Sequence, residues 1–121
     1  NRGEIRGPAP ASAEQRASLA SLYCALMVSE QLTSIGSAHD IIVDGPFSEN
    51  LVFLKVLAEL RPTQKLFASD LRDGTTAGAA CLGLMRGGEL PHVPLLLNRV
   101  LPEKLAGLRE YAAAWLSLAH R

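Results

Sequence analysis

The chain has 121 residues, of which 48% are hydrophobic, so it is long enough and apolar enough for one folded domain, or part of one, with its own core. Its 12 basic and 12 acidic residues cancel, which removes electrostatic support for nucleic-acid binding. No apolar run approaches the ~20 residues of a membrane span, and nothing before the first predicted helix resembles a secretory signal. We therefore expect a cytoplasmic globular protein without a nucleic-acid or membrane partner.

The first element in chain order is a helix that follows a loose lead-in over residues 1–11. Ser12 and Gln15 have the spacing of a capping box, in which each side chain satisfies backbone N–H groups at the helix start. Apolar residues then recur with the 3.6-residue period of a helix as far as Ile35. Gly36 suits the position that follows a helix end. The pattern predicts a helix from residue 12 to about residue 35.

Residues 41–50 combine a short β-branched run with a tight turn. Residues 41–43 predict a strand that is buried on both faces. Asp-Gly-Pro follows as a turn, and Ser48 is a good N-cap for the next helix. A strand, a turn and a helix N-terminus in this order is the arrangement with which α/β folds hold a phosphate or nucleotide. The pattern predicts a ligand site without naming the ligand.

The alternation of helix and strand continues beyond this turn. The second helix is apolar around most of its circumference and ends at Arg61-Pro62. Residues 64–68 predict a second strand, parallel to the first because a helix connects them. A third helix begins near residue 75 with a face of small residues, which favours close packing against another backbone. Gly87-Gly88 is expected to end it.

The remainder of the chain predicts a loop over residues 89–100 and a last helix that begins at Pro102. Glu103 in its first turn, and His120 and Arg121 at its far end, complement the helix dipole. The predicted order is thus α-β-α-β-α-α, an α/β fold with one short parallel strand pair. Two strands expose two unpaired edges and are rarely stable alone, so we expect this pair to belong to a larger sheet.

Other residues whose side chains could bind a metal or act in catalysis are interpreted as structural. The four aspartates at turns fit no metal-binding loop, and the three histidines are isolated, so we expect no metal site; they are Asp40, Asp44, Asp70, Asp73, His39, His92 and His120. Cys24 and Cys81 lack metal-ligand spacing and are predicted to be small buried apolar side chains. Tyr111 and Trp115 are predicted to lie on the core-facing stripe of the last helix.

Three segments occur in an order that resembles the C-terminal domain of FGGY-family carbohydrate kinases. They are Ile-Ile-Val-Asp-Gly-Pro-Phe-Ser-Glu-Asn (residues 41–50), Leu57-Ala58 with Arg61-Pro62, and Gly-Thr-Thr-Ala-Gly-Ala-Ala (residues 74–80). In that family a strand ends in a glycine-rich adenosine motif, and a second strand leads into a Gly-Thr helix start. Order and spacing match over about residues 12–88. The Gly-Pro-Phe variant most resembles fuculokinase-type sugar kinases.

The resemblance implies an actin-like, ribonuclease H-like ATPase fold, with residues 12–121 forming the C-terminal part of the ATP-binding domain. It implies a kinase that phosphorylates a sugar hydroxyl with ATP and Mg²⁺. Gly45 and Pro46 fall where the family's paired glycines approach the α-phosphate and ribose, and Asn50 falls where an asparagine often contacts adenine. Pro46 departs from the second glycine, and it has no N–H to offer a phosphate.

The resemblance also implies that part of the enzyme lies outside this chain. The family's Asp-x-Gly-Thr phosphate turn, its catalytic aspartate and its sugar-binding residues belong to upstream segments. We therefore expect no catalytic residue here, and no activity from this chain alone. A non-catalytic actin-like nucleotide-binding or scaffolding module, and an α/β interaction domain without nucleotide, stay open as alternatives, as does a homo-oligomer.

Overall fold

Helices and short strands alternate along the computed structural model, which describes residues 5, 7–71 and 73–119. In chain order the elements are α1 (Ala13–Ser34), β1 (Ile41–Val43), a 3₁₀ turn (Gly45–Glu49), α2 (Leu51–Leu60), β2 (Leu66–Ser69), α3 (Gly74–Leu84), β3 (Leu97–Val100) and α4 (Leu108–Ala119). The predicted element types are confirmed in order as far as α3, although α2 starts later than predicted and α3 ends at Leu84, before the predicted stop at Gly87-Gly88. Beyond it, both the element types and the boundaries differ from the prediction.

The three described strands form one mixed sheet in the order β1-β2-β3. β1 pairs in parallel with β2, with Ile41 opposite Leu66, as a crossover through α2 predicts. β2 pairs antiparallel with β3, with Leu66 opposite Val100. The predicted loop over residues 89–100 therefore extends too far, because residues 97–100 form β3, and the predicted two-stranded order was wrong. Pro91 and Pro94 precede β3 and made the whole stretch resemble a loop, because proline cannot donate to a strand ladder.

The hydrophobic core lies where α2 meets α1 and the sheet. Its buried members come mainly from α2 and from the inner faces of β1 and β2; they are Ala25, Ile41, Phe53, Leu54, Val56, Leu57, Ala58, Leu66, Ala68 and Leu108. α2 contacts α1 and also β2 and β3. The nearly all-round apolar pattern of α2 thus reflects burial between other elements.

Both ends of α1 are capped. The Ser12 hydroxyl accepts a hydrogen bond from the Gln15 N–H at 3.2 Å. The Gln15 side chain accepts from Ala11 at 2.7 Å, one residue before the partner that a capping box would use. At the other end, Gly36 adopts a φ of 67° and Ser37 donates back to the Leu32 carbonyl at 2.8 Å. This arrangement is a Schellman motif, and it confirms the predicted helix end.

Arg61 fastens the C-terminal end of α2 to the C-terminal end of α1. Its guanidinium donates to the Ser29 carbonyl at 3.1 Å, to the Thr33 hydroxyl at 2.9 Å and to the Ser37 carbonyl at 3.1 Å. Gln64 adds a bond to the His39 carbonyl, just before β1. Arg61 therefore does more than end α2, because its hydrogen bonds, with that of Gln64, position the connection between α1 and β1.

β1 is not buried on both faces, which corrects the prediction for this strand. Ile41 is buried, but the side chain of Ile42 is 52% exposed. The cause is position, because β1 lies at the edge of the sheet and points alternate side chains to opposite faces. The described residues therefore cover only about half of the Ile42 side chain.

The last helix begins later than predicted. α4 starts at Leu108, six residues after Pro102, and Gly107 precedes it with a φ of 76°. Pro102 and Glu103 therefore lie in the connection from β3, where Glu103 accepts an ion-pair bond from Lys55 at 2.7 Å. The predicted dipole partners His120 and Arg121 lie outside the described residues, as do residues 1–4 and 6 of the lead-in.

Candidate functional site

The two sequence motifs meet at one edge of the sheet. β1 and β2 are parallel and paired in register, with Val43 opposite Ala68, so their carboxyl ends lie side by side. The 3₁₀ turn follows β1, and the connection to α3 follows β2. The Gly45 N–H donates to the Leu71 carbonyl at 3.3 Å and joins the two connections directly. In α/β folds this edge is where ligands bind.

Asp44 packs against the first residue of α3. A Cβ at Gly74 would lie 1.9 Å from Oδ2 of Asp44 and 2.9 Å from its Cγ, so only glycine leaves room for the carboxylate. The start of the Gly-Thr-Thr-Ala-Gly-Ala-Ala motif therefore permits a close approach, but the approaching group is a side chain. Gly78, in the same motif, would place a Cβ in open space. The predicted close packing of another backbone on this face is not supplied by the described residues.

Asp73 caps the N-terminus of α3. Its carboxylate accepts hydrogen bonds from the backbone N–H of Thr76, at 2.9 Å, and from the Thr76 hydroxyl. The Thr76 hydroxyl first, and its backbone N–H second, hold the pKa of Asp73 below its ordinary value. Because each bond favours the ionised carboxylate, a negative charge is fixed at the positive end of the helix dipole.

Asn50 is the N-cap of α2, which corrects the prediction that Ser48 has this role. Its Oδ1 accepts from the Phe53 N–H at 3.0 Å, and its Nδ2 donates to the Ser21 hydroxyl at 2.9 Å. The helix starts later than predicted because residues 45–49 form a 3₁₀ turn first. The Ser21 partner is 29 residues away in sequence, and no local pattern could have indicated it.

The three residues predicted to bind a nucleotide lie along this turn. Gly45 is half-buried at its start, with a φ of 69°, and its N–H is already bonded to Leu71. Pro46 is exposed at the second position of the turn, and Asn50 is half-buried directly after its end. The turn is thus held at one end by the connection to α3 and at the other by α1.

Two apolar grooves flank the core, and Phe47 of the turn lines the larger one. The larger, of about 440 Å³, runs between α1 and the free edge of β1; the other, of about 410 Å³, lies between α1, α2 and the start of α4. Neither groove is lined by Gly45, Pro46 or Asn50. Their linings lack the converging polar groups of a substrate pocket. We therefore place the candidate site at the turn.

Tyr111, Trp115 and the two cysteines lie on helices outside the turn. Trp115 is half-buried and contacts Tyr23 edge-on, with ring centroids 6.1 Å apart. Tyr111 is 45% exposed and lines the smaller groove, so only part of the predicted stripe reaches the core. Cys24 and Cys81 are free thiols in α1 and α3, and both are half-buried rather than buried.

Metal ligands do not converge in the described part of the chain. No group of three or more His, Cys, Asp or Glu side chains among residues 5, 7–71 and 73–119 could hold a metal ion. Asp70, for example, accepts from the Leu96 N–H at 3.2 Å and extends the pairing of β2 with β3.

Within the same residues, no helix is long and apolar enough to cross a membrane.

Comparison with known proteins identifies the family of this fold. Residues 1–91 match the sequence model of the carbohydrate kinase FGGY C-terminal domain, a domain with an actin-like fold from kinases that use ATP. No curated protein matches the chain. The resemblance seen in the sequence is confirmed at the level of this domain, and the fuculokinase-type subgroup stays a prediction.

A solved structure supports the same assignment. The chain is similar to a carbohydrate kinase from Novosphingobium aromaticivorans, with a TM-score of 0.65 and 31% sequence identity over 88% of this chain. The match covers 23% of that kinase, so the chain spans about a quarter of the length of its relative.

Proposed function

The chain belongs to the FGGY carbohydrate kinases, as part of their C-terminal domain, and we propose that the full-length protein transfers the γ-phosphate of ATP to a sugar hydroxyl. The observation that supports the proposal is the family match over residues 1–91, and the bond from the Gly45 N–H to the Leu71 carbonyl joins the two connections that carry the motifs of that family. The activity is that of the longer protein, with a cytoplasmic location. The catalytic residues and the sugar-binding residues, which select the sugar, belong to segments outside this chain.

Residues 45–50 would form the adenosine side of the nucleotide site. Gly45 has its N–H bonded to Leu71, and Pro46 has none, so their contribution is the shape of the turn and contact with the ribose. Asn50 keeps one amide hydrogen after its bond to Ser21, because Nδ2 carries two. That remaining hydrogen is available to an acceptor on adenine.

Mg²⁺ would neutralise charge on the β- and γ-phosphates during transfer. The described residues offer no cluster of metal ligands, so the proposal assigns its ligands to other parts of the protein. Phosphoryl transfer depends mostly on positioning and electrostatic stabilisation. The role of this chain is therefore to hold the adenosine end of ATP so that the γ-phosphate reaches the acceptor hydroxyl, while closure of the two domains excludes water. On its own, the chain would be inactive.

The test is an ATP-dependent assay of the full-length protein on a panel of sugars that includes fuculose, together with calorimetry of Mg-ADP binding. Phosphorylation of a sugar with Mg-ADP binding supports the kinase. Binding heat without transfer to any sugar would instead identify the non-catalytic actin-like module. An absence of binding heat would identify an interaction domain without nucleotide. The upstream sequence gives an independent check, because a kinase requires an Asp-x-Gly-Thr turn and a cleft aspartate there.

A further inference from the structure

We propose that Ser21, on α1, is a positioning residue for the nucleotide turn and acts through Asn50. The inference rests on the proposed function, because it assumes that residues 45–50 contact the nucleotide. Ser21 lies outside every motif that indicated the family. Its assignment comes from its place in a chain of hydrogen bonds.

The hydrogen bonds fix the orientation of the Asn50 amide. The single proton of the Ser21 hydroxyl goes to the Ala17 carbonyl at 2.9 Å, so this oxygen faces Asn50 with a lone pair. It accepts from Asn50 Nδ2 at 2.9 Å, while Oδ1 accepts from the Phe53 N–H at 3.0 Å. Rotating the amide by 180° would set acceptor against acceptor at Ser21 and donor against donor at Phe53. Only one orientation satisfies both ends.

The hydrogen bond between Asn50 and Ser21 matters because it is largely buried. Ser21 is 8% exposed on the face of α1 that packs against α2, and Asn50 is half-buried. A polar group in this position needs a protein partner, since water reaches it poorly. Without the Ser21 oxygen, the Asn50 amide would lose the contact that holds its second N–H in one direction.

The same residue closes the turn. The Asn50 backbone N–H donates to the Phe47 carbonyl at 3.2 Å, and the Phe47 ring stacks at a tilt on Phe53 with centroids 4.8 Å apart. A shift of Asn50 would therefore move the end of the 3₁₀ turn, whose start is bonded to Leu71. Ser21 thus sets both the direction of the free amide hydrogen and the position of the turn against α1.

The experiment is Ser21→Ala in the full-length kinase, with steady-state kinetics for both substrates. We expect the KM for ATP to rise about fivefold, the effect of one lost hydrogen bond, with little change in the KM for the sugar or in kcat. Ser21→Thr keeps the hydroxyl and should restore the ATP KM. Should Ser21→Ala fail to fold, Ser21→Cys keeps the shape with a weaker acceptor and should shift the ATP KM in the same direction.

Ser34→Ala is the matched control. Ser34 lies on the same helix and donates the same kind of bond, to the Glu30 carbonyl at 3.0 Å, but it is exposed and about 20 Å further along α1. It should leave both KM values unchanged. An unchanged ATP KM in an active Ser21→Ala enzyme would overturn the inference, as would equal changes in both KM values that Ser21→Thr does not reverse. A wild-type protein that binds no Mg-ADP would overturn the proposed function itself, and this inference with it.

Discussion

The carboxylate of Asp44 occupies the space in which any side chain at Gly74 would begin. Its Oδ2 lies 1.9 Å from the position of a Cβ there. Since Asp44 follows β1 and Gly74 begins α3, the contact brings together the two connections that form the candidate site. The glycine of the second motif and the aspartate of the first therefore have to be considered as one structural unit.

Gly74→Ala should separate these two connections. The new Cβ would force Asp44 out of its rotamer, at a cost of about 1 kcal/mol in stability. We expect a lower melting temperature and weaker Mg-ADP binding in the full-length protein, measured by calorimetry. Asp44→Ala should relieve the clash, so the double variant should lose less stability than the sum of the two single variants.

Gly78→Ala is the control for helix propensity. It adds the same methyl group in the same helix, but nothing lies within 4 Å of its Cβ. Alanine is favoured over glycine inside a helix by about 1 kcal/mol, so this variant should be neutral or stabilising. If Gly74→Ala behaved like Gly78→Ala, the close approach of Asp44 would have no energetic consequence.

Acid should loosen the start of α3 through Asp73. The folded-state pKa of this carboxyl is lowered, first by the Thr76 hydroxyl, so the unfolded state binds more protons in acid. The contribution of the cap is present above the ordinary pKa of about 4 and is lost as pH falls through the lowered folded value. Amide hydrogen-exchange protection of residues 74–84 should fall over that range.

Asp73→Asn tests the origin of this acid dependence. Asparagine keeps an acceptor for the Thr76 N–H but carries no charge, so the protection of α3 should become flatter with pH. Asp40→Asn, at an exposed position before β1, is the control and should retain the wild-type profile. Equal acid dependence in wild type and Asp73→Asn would assign the effect to other carboxyl groups.

Pro46→Ala should strengthen nucleotide binding. The substitution restores an N–H at the second position of the 3₁₀ turn, within the first turn, where such groups have no partner inside the turn and can donate to a phosphate. The expected gain in Mg-ADP affinity is severalfold, up to about tenfold. Loss of the proline should cost about 0.4–1 kcal/mol in stability. Unchanged or weaker affinity in calorimetry would show that no phosphate lies near this position.

Features of this structure could be predicted from the sequence where the interacting residues lie close together along the chain. The caps of α1 and the parallel pairing of β1 with β2 followed from local patterns and from one topological rule. The N-cap of α2 was missed because Ser48 and Asn50 are both good caps. What selects Asn50 is the preceding turn, with a bond to Ser21 from another helix.

β3 was missed for a related reason. Its hydrogen bonds come from β2, about thirty residues earlier, and Arg99 opposite Phe67 gives no apolar alternation to reveal the strand. The exposure of Ile42 is a third case, because a β-branched run indicates burial without saying which segment provides it. Local pattern determined the element types, while residues remote in sequence determined the boundaries, caps and covered faces.

The free edge of β1 should make the isolated 121-residue chain self-associate. β1 has a strand neighbour on one side in the described sheet, Ile42 is 52% exposed, and an apolar groove of about 440 Å³ runs beside it. An unpaired strand edge with exposed apolar side chains is a template for pairing with another chain. Ile42→Lys should reduce association, because a lysine on an edge strand opposes such pairing. Gln31→Lys adds the same charge at an exposed site on α1 and should leave association unchanged. Light scattering after size-exclusion chromatography measures all three, and a monodisperse wild-type monomer would contradict the prediction.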